Sequence, residues 1–194
     1  MGPAGIDVSN NNGRMSLSSF SGLSFVFAKV SEGTFYTDST YNFYQSAANA
    51  MGVMFGAYHF AHPEATSATS EANYFLSKFK PVSGMPIWLD YEVYSGNNAN
   101  DIKWINTFRN TVRSAHPGAK VGLYANLTGM NKVLPGVNVD ALWFAYYNNQ
   151  VETPSGPMPK GYSWDIHQYE VLNGVDRNYS RRSVSQLKQM FTWS

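Results

Sequence analysis

Eight short runs of β-forming residues, spread from end to end, constrain this fold more than any other feature. They are Gly5–Ser9, Phe25–Ser31, Val53–Phe60, Pro86–Val93, Lys120–Ala125, Ala141–Tyr147, Trp164–Tyr169 and Val175–Asn178. Between several of them the apolar spacing changes to a helical one. Ser39–Met51 carries Tyr41, Tyr44, Ala48 and Met51, and Ala65–Phe79 carries Ala68, Ala72, Phe75 and Phe79. Asn100–Ala115 carries Ile102, Ile105, Phe108 and Val112, again on one helical face. Strands alternating with helices predict a parallel sheet of βα units, and eight strands suffice to close it into a barrel. The pattern thins after Ala125. The connection from Tyr147 to Trp164 holds Pro154, Gly156, Pro157, Pro159 and Gly161, and the last two runs are joined by a few residues through Asn173-Gly174. The expected class is therefore α/β, an irregular TIM-barrel-like (β/α) barrel with helices missing in the C-terminal half. No repeat or linker divides residues 1–194, which read as one domain.

Within that frame, Met85-Pro86-Ile87-Trp88-Leu89-Asp90-Tyr91-Glu92-Val93 is an apolar strand ending in two carboxylates spaced i, i+2. On a strand they share a face, with Cα atoms roughly 6–7 Å apart. Carboxyls so close repel, and one of them tends to keep its proton near neutral pH. A protonated acid beside an ionised partner is what acid-catalysed glycoside cleavage requires. An isolated Asp-x-Glu is more often a solvated edge pair, so the argument depends on what surrounds it. Chemistry in such barrels sits at the C-terminal ends of the strands. Asp7 in the first run and Asp176 in the last fall at strand ends as well, and barrel closure would make those two runs neighbours. Like charges gathered at one mouth give no stability without a cation or a shared proton.

Composition narrows the classes further. Charged residues are 14% and aromatics 15%, so Ser, Thr, Asn, Gly and Tyr must make much of the surface. That mixture suits sugars, whose ring faces stack on aromatics while their hydroxyls take polar partners. A net charge of +1 gives no broad basic field for nucleic acid. No apolar run reaches the length of a membrane span, and without cysteine there are no disulfides or thiolate metal sites. Met1-Gly2-Pro3-Ala4-Gly5 leads straight into the first run with no apolar leader, so no export signal is expected in this chain.

The four acids and their order resemble the glycoside hydrolase family 25 lysozymes, the Chalaropsis-type N-acetylmuramidases common among phage endolysins. The likeness runs from Gly5 to about Ser180. It includes Gly5-Ile6-Asp7-Val8-Ser9 with Asn12-Gly13, Phe25-Val26-Phe27-Ala28-Lys29-Val30-Ser31-Glu32-Gly33 and Gly56-Ala57-Tyr58-His59-Phe60. It continues through Leu89-Asp90-Tyr91-Glu92, Leu123-Tyr124-Ala125, Trp143-Phe144-Ala145-Tyr146, Gln168-Tyr169 and Val175-Asp176-Arg177-Asn178. The resemblance places the family's catalytic acid on Glu92 and its assisting acids on Asp90, Asp7 and Asp176. It places the saccharide groove on Lys29, Tyr36, Tyr58, Phe60, Tyr124, Trp143, Tyr146 and Gln168. Departures stand at Asn12, where many members carry Gln, at Arg177, often apolar in the family, and in the short loop before Asp176.

The implied activity is hydrolysis of the β-1,4 bond after N-acetylmuramic acid in peptidoglycan, with no metal or organic cofactor and the protein acting as a monomer at the bacterial cell wall. A phage endolysin made in the host cytoplasm and a mature secreted enzyme both fit that expectation. Glu92 would protonate the leaving oxygen. A second carboxylate would either attack directly or, the favoured route, orient the substrate's own 2-acetamido group. Two other classes remain: a sugar-binding module on a degenerate barrel, and a metal-dependent phosphodiesterase using the acids as oxygen ligands. His59 and His62, with Glu64 nearby, read as structural histidines rather than metal ligands. Lys29 either pairs with Glu32 or faces the acids. Asp101, Asp140 and Asp165 read as caps or surface groups.

Overall fold

The computed structural model describes residues 2–150 and 157–194; Pro154 and Gly156, part of the expected irregular connection, lie outside them. The first strand, β1 (Ala4–Val8), is followed by two short 3-10 turns at Asn10–Asn12 and Leu17–Ser19. Then come β2 (Leu23–Glu32), the two-residue β3 (Tyr36–Thr37), helix α1 (Tyr41–Met51), β4 (Met54–Phe60), α2 (Ala68–Lys78) and β5 (Ile87–Asp90). Next are α3 (Asn98–Ala115), β6 (Gly122–Asn126), α4 (Leu127–Val133), β7 (Leu142–Ala145), β8 (Ile166–Leu172), β9 (Val175–Ser180) and α5 (Val184–Met190). The sheet order is β1-β9-β8-β7-β6-β5-β4-β2-β3, and an additional β1–β2 pairing closes the barrel.

Helices α2, α3 and α4 start where side chains satisfy their free N–H groups, whereas α1 has no side-chain cap. Ser67 caps α2 by accepting from Ser70 N, Asn97 caps α3 from Asn100 N, and Asn126 caps α4 from Gly129 N. Each buries an apolar stripe against the outside of the barrel, Tyr41, Tyr44 and Ala48 on α1 and Ile105, Phe108 and Val112 on α3 among them. The two-turn α4 and the capped α5 were not apparent in the sequence pattern. Between β7 and β9 no helix occurs among the described residues.

Inside the barrel a second core holds Phe25, Phe27, Trp88, Trp143 and Ile166, with Leu187 and Phe191 from the α5 region. Ring centroids lie 4.9 Å apart for Phe27–Trp143, 5.5 Å for Trp88–Trp143 and 5.2 Å for Trp88–Phe191. Glycine makes room for this floor. A Cβ on Gly122 would stand 2.3 Å from the Trp88 ring, and one on Gly5 would stand 2.2 Å from Phe25. The aromatic plug therefore fills the lower barrel, and polar side chains collect above it.

The last strand departs from the all-parallel expectation. Asn173 and Gly174 both have positive φ (54° and 75°) and make a tight hairpin, so β9 runs antiparallel to β8 and to β1. A connection that short cannot make the crossover a parallel strand needs. Asp176 thus sits near the start of β9, not at a strand's C-terminal end. It reaches the same mouth because the strand is reversed, with Asp176 directly opposite Asp7 in register.

Candidate active site

Period-2 alternation aims one residue of each pair into the barrel. Asp7, Lys29, Tyr58, Phe60, Asp90, Glu92, Tyr124, Trp143, Gln168 and Asp176 line one cleft of ≈ 210 Å³, with Ser9, Asn11 and Tyr147. β5 ends at Asp90, so Glu92 is not on the strand as the sequence pattern suggests. The turn that follows still brings the two carboxyls into a hydrogen bond. Burial, then the charge of Glu92, pushes the Asp90 carboxyl well above its ordinary range. Burial also raises Glu92, while the hydrogen bond from Asp90 and the Lys29 ammonium oppose that rise. Both carboxyls therefore hold a proton more readily than an ordinary carboxyl, Asp90 the more strongly, and the two titrate as a pair.

The second pair lies across β1 and β9. Asp7 Oδ2 accepts from Gln168 Nε2 at 2.8 Å and Asn178 Nδ2 at 2.7 Å. Burial and the facing Asp176 outweigh those donors and lift Asp7 to about 8. Asp176 is raised chiefly by burial, against the hydrogen bond from Tyr147. The amide of Gln168 is oriented without ambiguity, because its Oε1 accepts from both Tyr124 OH (2.8 Å) and Tyr147 OH (2.7 Å). Asn178 Oδ1 in turn accepts from Trp143 Nε1 at 2.8 Å. Asp7, Asp176, Gln168, Asn178, Tyr124, Tyr147 and Trp143 thus form one connected network, which stiffens this wall of the cleft.

Two of the expected groove residues stand elsewhere. Tyr146 turns to the outer face of β7 and stacks on Phe144, with centroids 5.7 Å apart and planes 8° apart. Its neighbour Tyr147 enters the cleft instead. Counting in twos from Trp143 leads to Ala145 and then Tyr147, so the signal was present in the sequence. Tyr36 lines an adjoining recess of ≈ 340 Å³ that shares Ser9, Asn11 and Lys29 with the acid cleft. Asn178 was also missed, although its i, i+2 spacing from Asp176 puts the two on one face of β9.

The remaining candidates separate cleanly. Lys29 does both things considered for it: it lines the cleft and pairs with Glu32. His59 faces outward into the helical layer, fully buried between Ser31 Oγ (2.9 Å) and Glu71 Oε2 (2.8 Å), whereas His62 lies between Glu32 and Glu64. Among the described residues no group of His, Asp and Glu could hold a metal ion. Asp101 and Asp165 are not surface groups. Asp101 is fully buried and accepts from Tyr91 OH, and Asp165 accepts from Leu142 N and Arg182 Nε. Asp140 takes a two-pronged pair from Arg109, with both contacts at 3.0 Å. All three staple a loop to the element beside it.

The model of the family described as glycosyl hydrolases family 25 matches residues 6–175. The chain belongs to glycosyl hydrolase family 25. Its relatives in that family include Lysozyme M1 of Streptomyces globisporus, 32% identical over 96% of this chain and 70% of that protein. The N,O-diacetylmuramidase of Chalaropsis sp is 29% identical over 88% of this chain and 89% of that protein. Among solved structures, the bacterial lysozyme of Streptomyces coelicolor superposes with a TM-score of 0.81 at 28% identity, covering 98% of this chain and 97% of that one. The muramidase of Acremonium alcalophilum gives the same TM-score at 26% identity, over 96% and 97% of the two chains. This family 25 member is thus a glycoside hydrolase. Among its described residues no helix is long and apolar enough to cross a membrane.

Proposed function

We propose that this glycoside hydrolase is a lysozyme that cuts the β-1,4 bond between N-acetylmuramic acid and N-acetylglucosamine in bacterial peptidoglycan, acting at the cell wall. The observation that carries the reading is the pair of carboxyls, Asp90 and Glu92, in one cleft above an aromatic floor, both pushed by burial toward their protonated forms; the reading takes one proton to be held between them. Moving that proton across the hydrogen bond leaves Glu92 protonated, ready to donate to the leaving O4 of N-acetylglucosamine. It also leaves Asp90 as a carboxylate, able to accept the N–H of the muramic acetamido group and turn its oxygen toward C1. Attack by that oxygen as the C1–O4 bond breaks forms a cyclic oxazolinium. Water then adds at C1 as the bond from C1 to the acetamido oxygen breaks, and gives its proton to Glu92, so that the pair regains the one proton it began with and the product retains the β configuration. Asp7 and Asp176, with Gln168 and Tyr147 between them, hold the opposite wall and favour positive charge developing at the sugar.

The test is the chemistry of the ends produced from purified peptidoglycan. New reducing ends should be N-acetylmuramic acid by mass spectrometry, and N-acetylglucosamine there would overturn the assignment. Proton NMR of a fresh digest should show the β anomer first. An initial α anomer would replace acetamido assistance with direct attack by water. Glu92→Gln should reduce lysis roughly 10²-fold or more, the scale of general acid catalysis.

A further inference from the structure

On the β2 side of the cleft a chain of charges leads away from the acid pair and ends in a histidine that the reaction above leaves unused. The Lys29 ammonium lies over the rings of Phe60 (4.9 Å) and Tyr36 (5.5 Å) and pairs with Glu32 Oε2. The other oxygen, Glu32 Oε1, meets His62 Nε2 at 3.0 Å, and His62 Nδ1 meets Glu64 Oε1 at 2.7 Å. We propose that His62 is a positioning residue for the hydrolysis: through Glu32 it fixes the Lys29 ammonium at the wall of the acid cleft, and its own charge sets how strongly that wall favours ionised Asp90 and Glu92. The inference rests on the reading of Glu92 as proton donor.

The geometry makes the coupling physical. Each Glu32 oxygen has its own partner, so His62 and Lys29 hold the carboxylate from two sides at once. Glu32 keeps a quarter of its side chain exposed, and among the described residues its carboxylate bonds only Lys29 and His62. With His62 protonated, two cations and two carboxylates balance. Once it is neutral, a net negative charge stands beside the cleft, and Asp90 and Glu92 lose their proton less readily. Lys29 is the cation that acts on both of those acids.

The groups facing His62 are few. Glu32 ends β2, Glu64 is in its own loop, and the rings of Phe35 and Phe60 each lie 5.4 Å away. Glu71 on α2 accepts its backbone N–H at 3.2 Å, and buried His59 acts at longer range. Burial works against the charged imidazole, yet the hydrogen bonds to Glu32 and Glu64 outweigh it and raise His62 above its ordinary value.

The test is the pH profile of kcat/KM for the wild type and three variants. His62→Gln removes a cation, and the alkaline limb should rise by on the order of half a pH unit. Glu32→Gln leaves two cations against the single carboxylate of Glu64, and the limb should fall by a similar amount. His62→Lys keeps a cation near Glu32 at every pH, and the limb should stay at or below its wild-type position. Limbs that do not move, or that move the same way in His62→Gln and Glu32→Gln, overturn the proposal even if kcat falls. Failure of the underlying reading is separate, because it shows as wild-type-like lysis by folded Glu92→Gln.

Discussion

Asp7→Asn should make the protein more stable at neutral pH, because the wild-type carboxyl is held where its charge is unfavourable. Asp7 has a folded-state pKa of about 8 against an ordinary 3.8. The folded state therefore binds this proton more tightly than the unfolded state does, and its contribution is full below pH 4 and lost as pH rises through about 8. At pH 7 the unfolded carboxyl has released its proton, while the folded one must keep it or lie ionised in a buried site beside Asp176. Slightly more than three pKa units separate pH 7 from the unfolded value, and at 1.36 kcal/mol each the penalty is about 4 kcal/mol. That figure is a ceiling, since Asp176 takes up part of the proton. Asparagine fits the site: its carbonyl oxygen replaces Oδ2 as acceptor for Gln168 and Asn178. Urea unfolding of both proteins at pH 4, 6 and 8 reads the effect of this pair, because the titrating groups other than Asp7 and Asp176 are common to them. Their difference should be near zero at pH 4 and grow steadily to pH 8. At pH 7 it should reach at most about 8–16 °C in Tm for a chain of this size. A difference that is flat with pH, or an Asp7→Asn protein less stable than wild type at pH 8, would refute the argument.

Tyr147→Phe deletes the hydroxyl that donates to Gln168 and to Asp176, and one lost hydrogen bond should lower kcat roughly 3–10-fold. Tyr146→Phe should leave turnover within error, and equal losses in the two variants would show that the facing of β7 is wrong. Gly122→Ala forces a methyl group to within 2.3 Å of a Trp88 ring already packed on Phe27, Trp143 and Phe191. Overpacking there should cost about 1–3 kcal/mol, read as a lower urea midpoint, and an unchanged midpoint would contradict the packed floor.

Much of the site could be read from the sequence because a strand's alternation is local. Trp88 and Asp90, or Gly122 and Tyr124, share a face whatever the rest of the chain does. The same rule, carried two residues past Ala145, would have chosen Tyr147 over Tyr146. It could not reveal that β5 stops at Asp90, because the turn carrying Glu92 is set by what packs around it. The burial of Asp101 and Asp165 was equally hidden, since a capping acid and a loop staple look alike until their donors are known.

The sequence by itself determined the βα alternation, the four acids in or just past their runs, and the short Asn173-Gly174 connection. Each is written in residues near one another in the chain. Tertiary structure alone decided the electrostatics. Asp7 and Asp176 face each other only because the reversed β9 closes the barrel against β1, across 169 positions of sequence. The protons held by the acids follow from burial above the aromatic plug. Ionisation depends on every neighbouring charge and on exclusion of water, and no local pattern of residues encodes either.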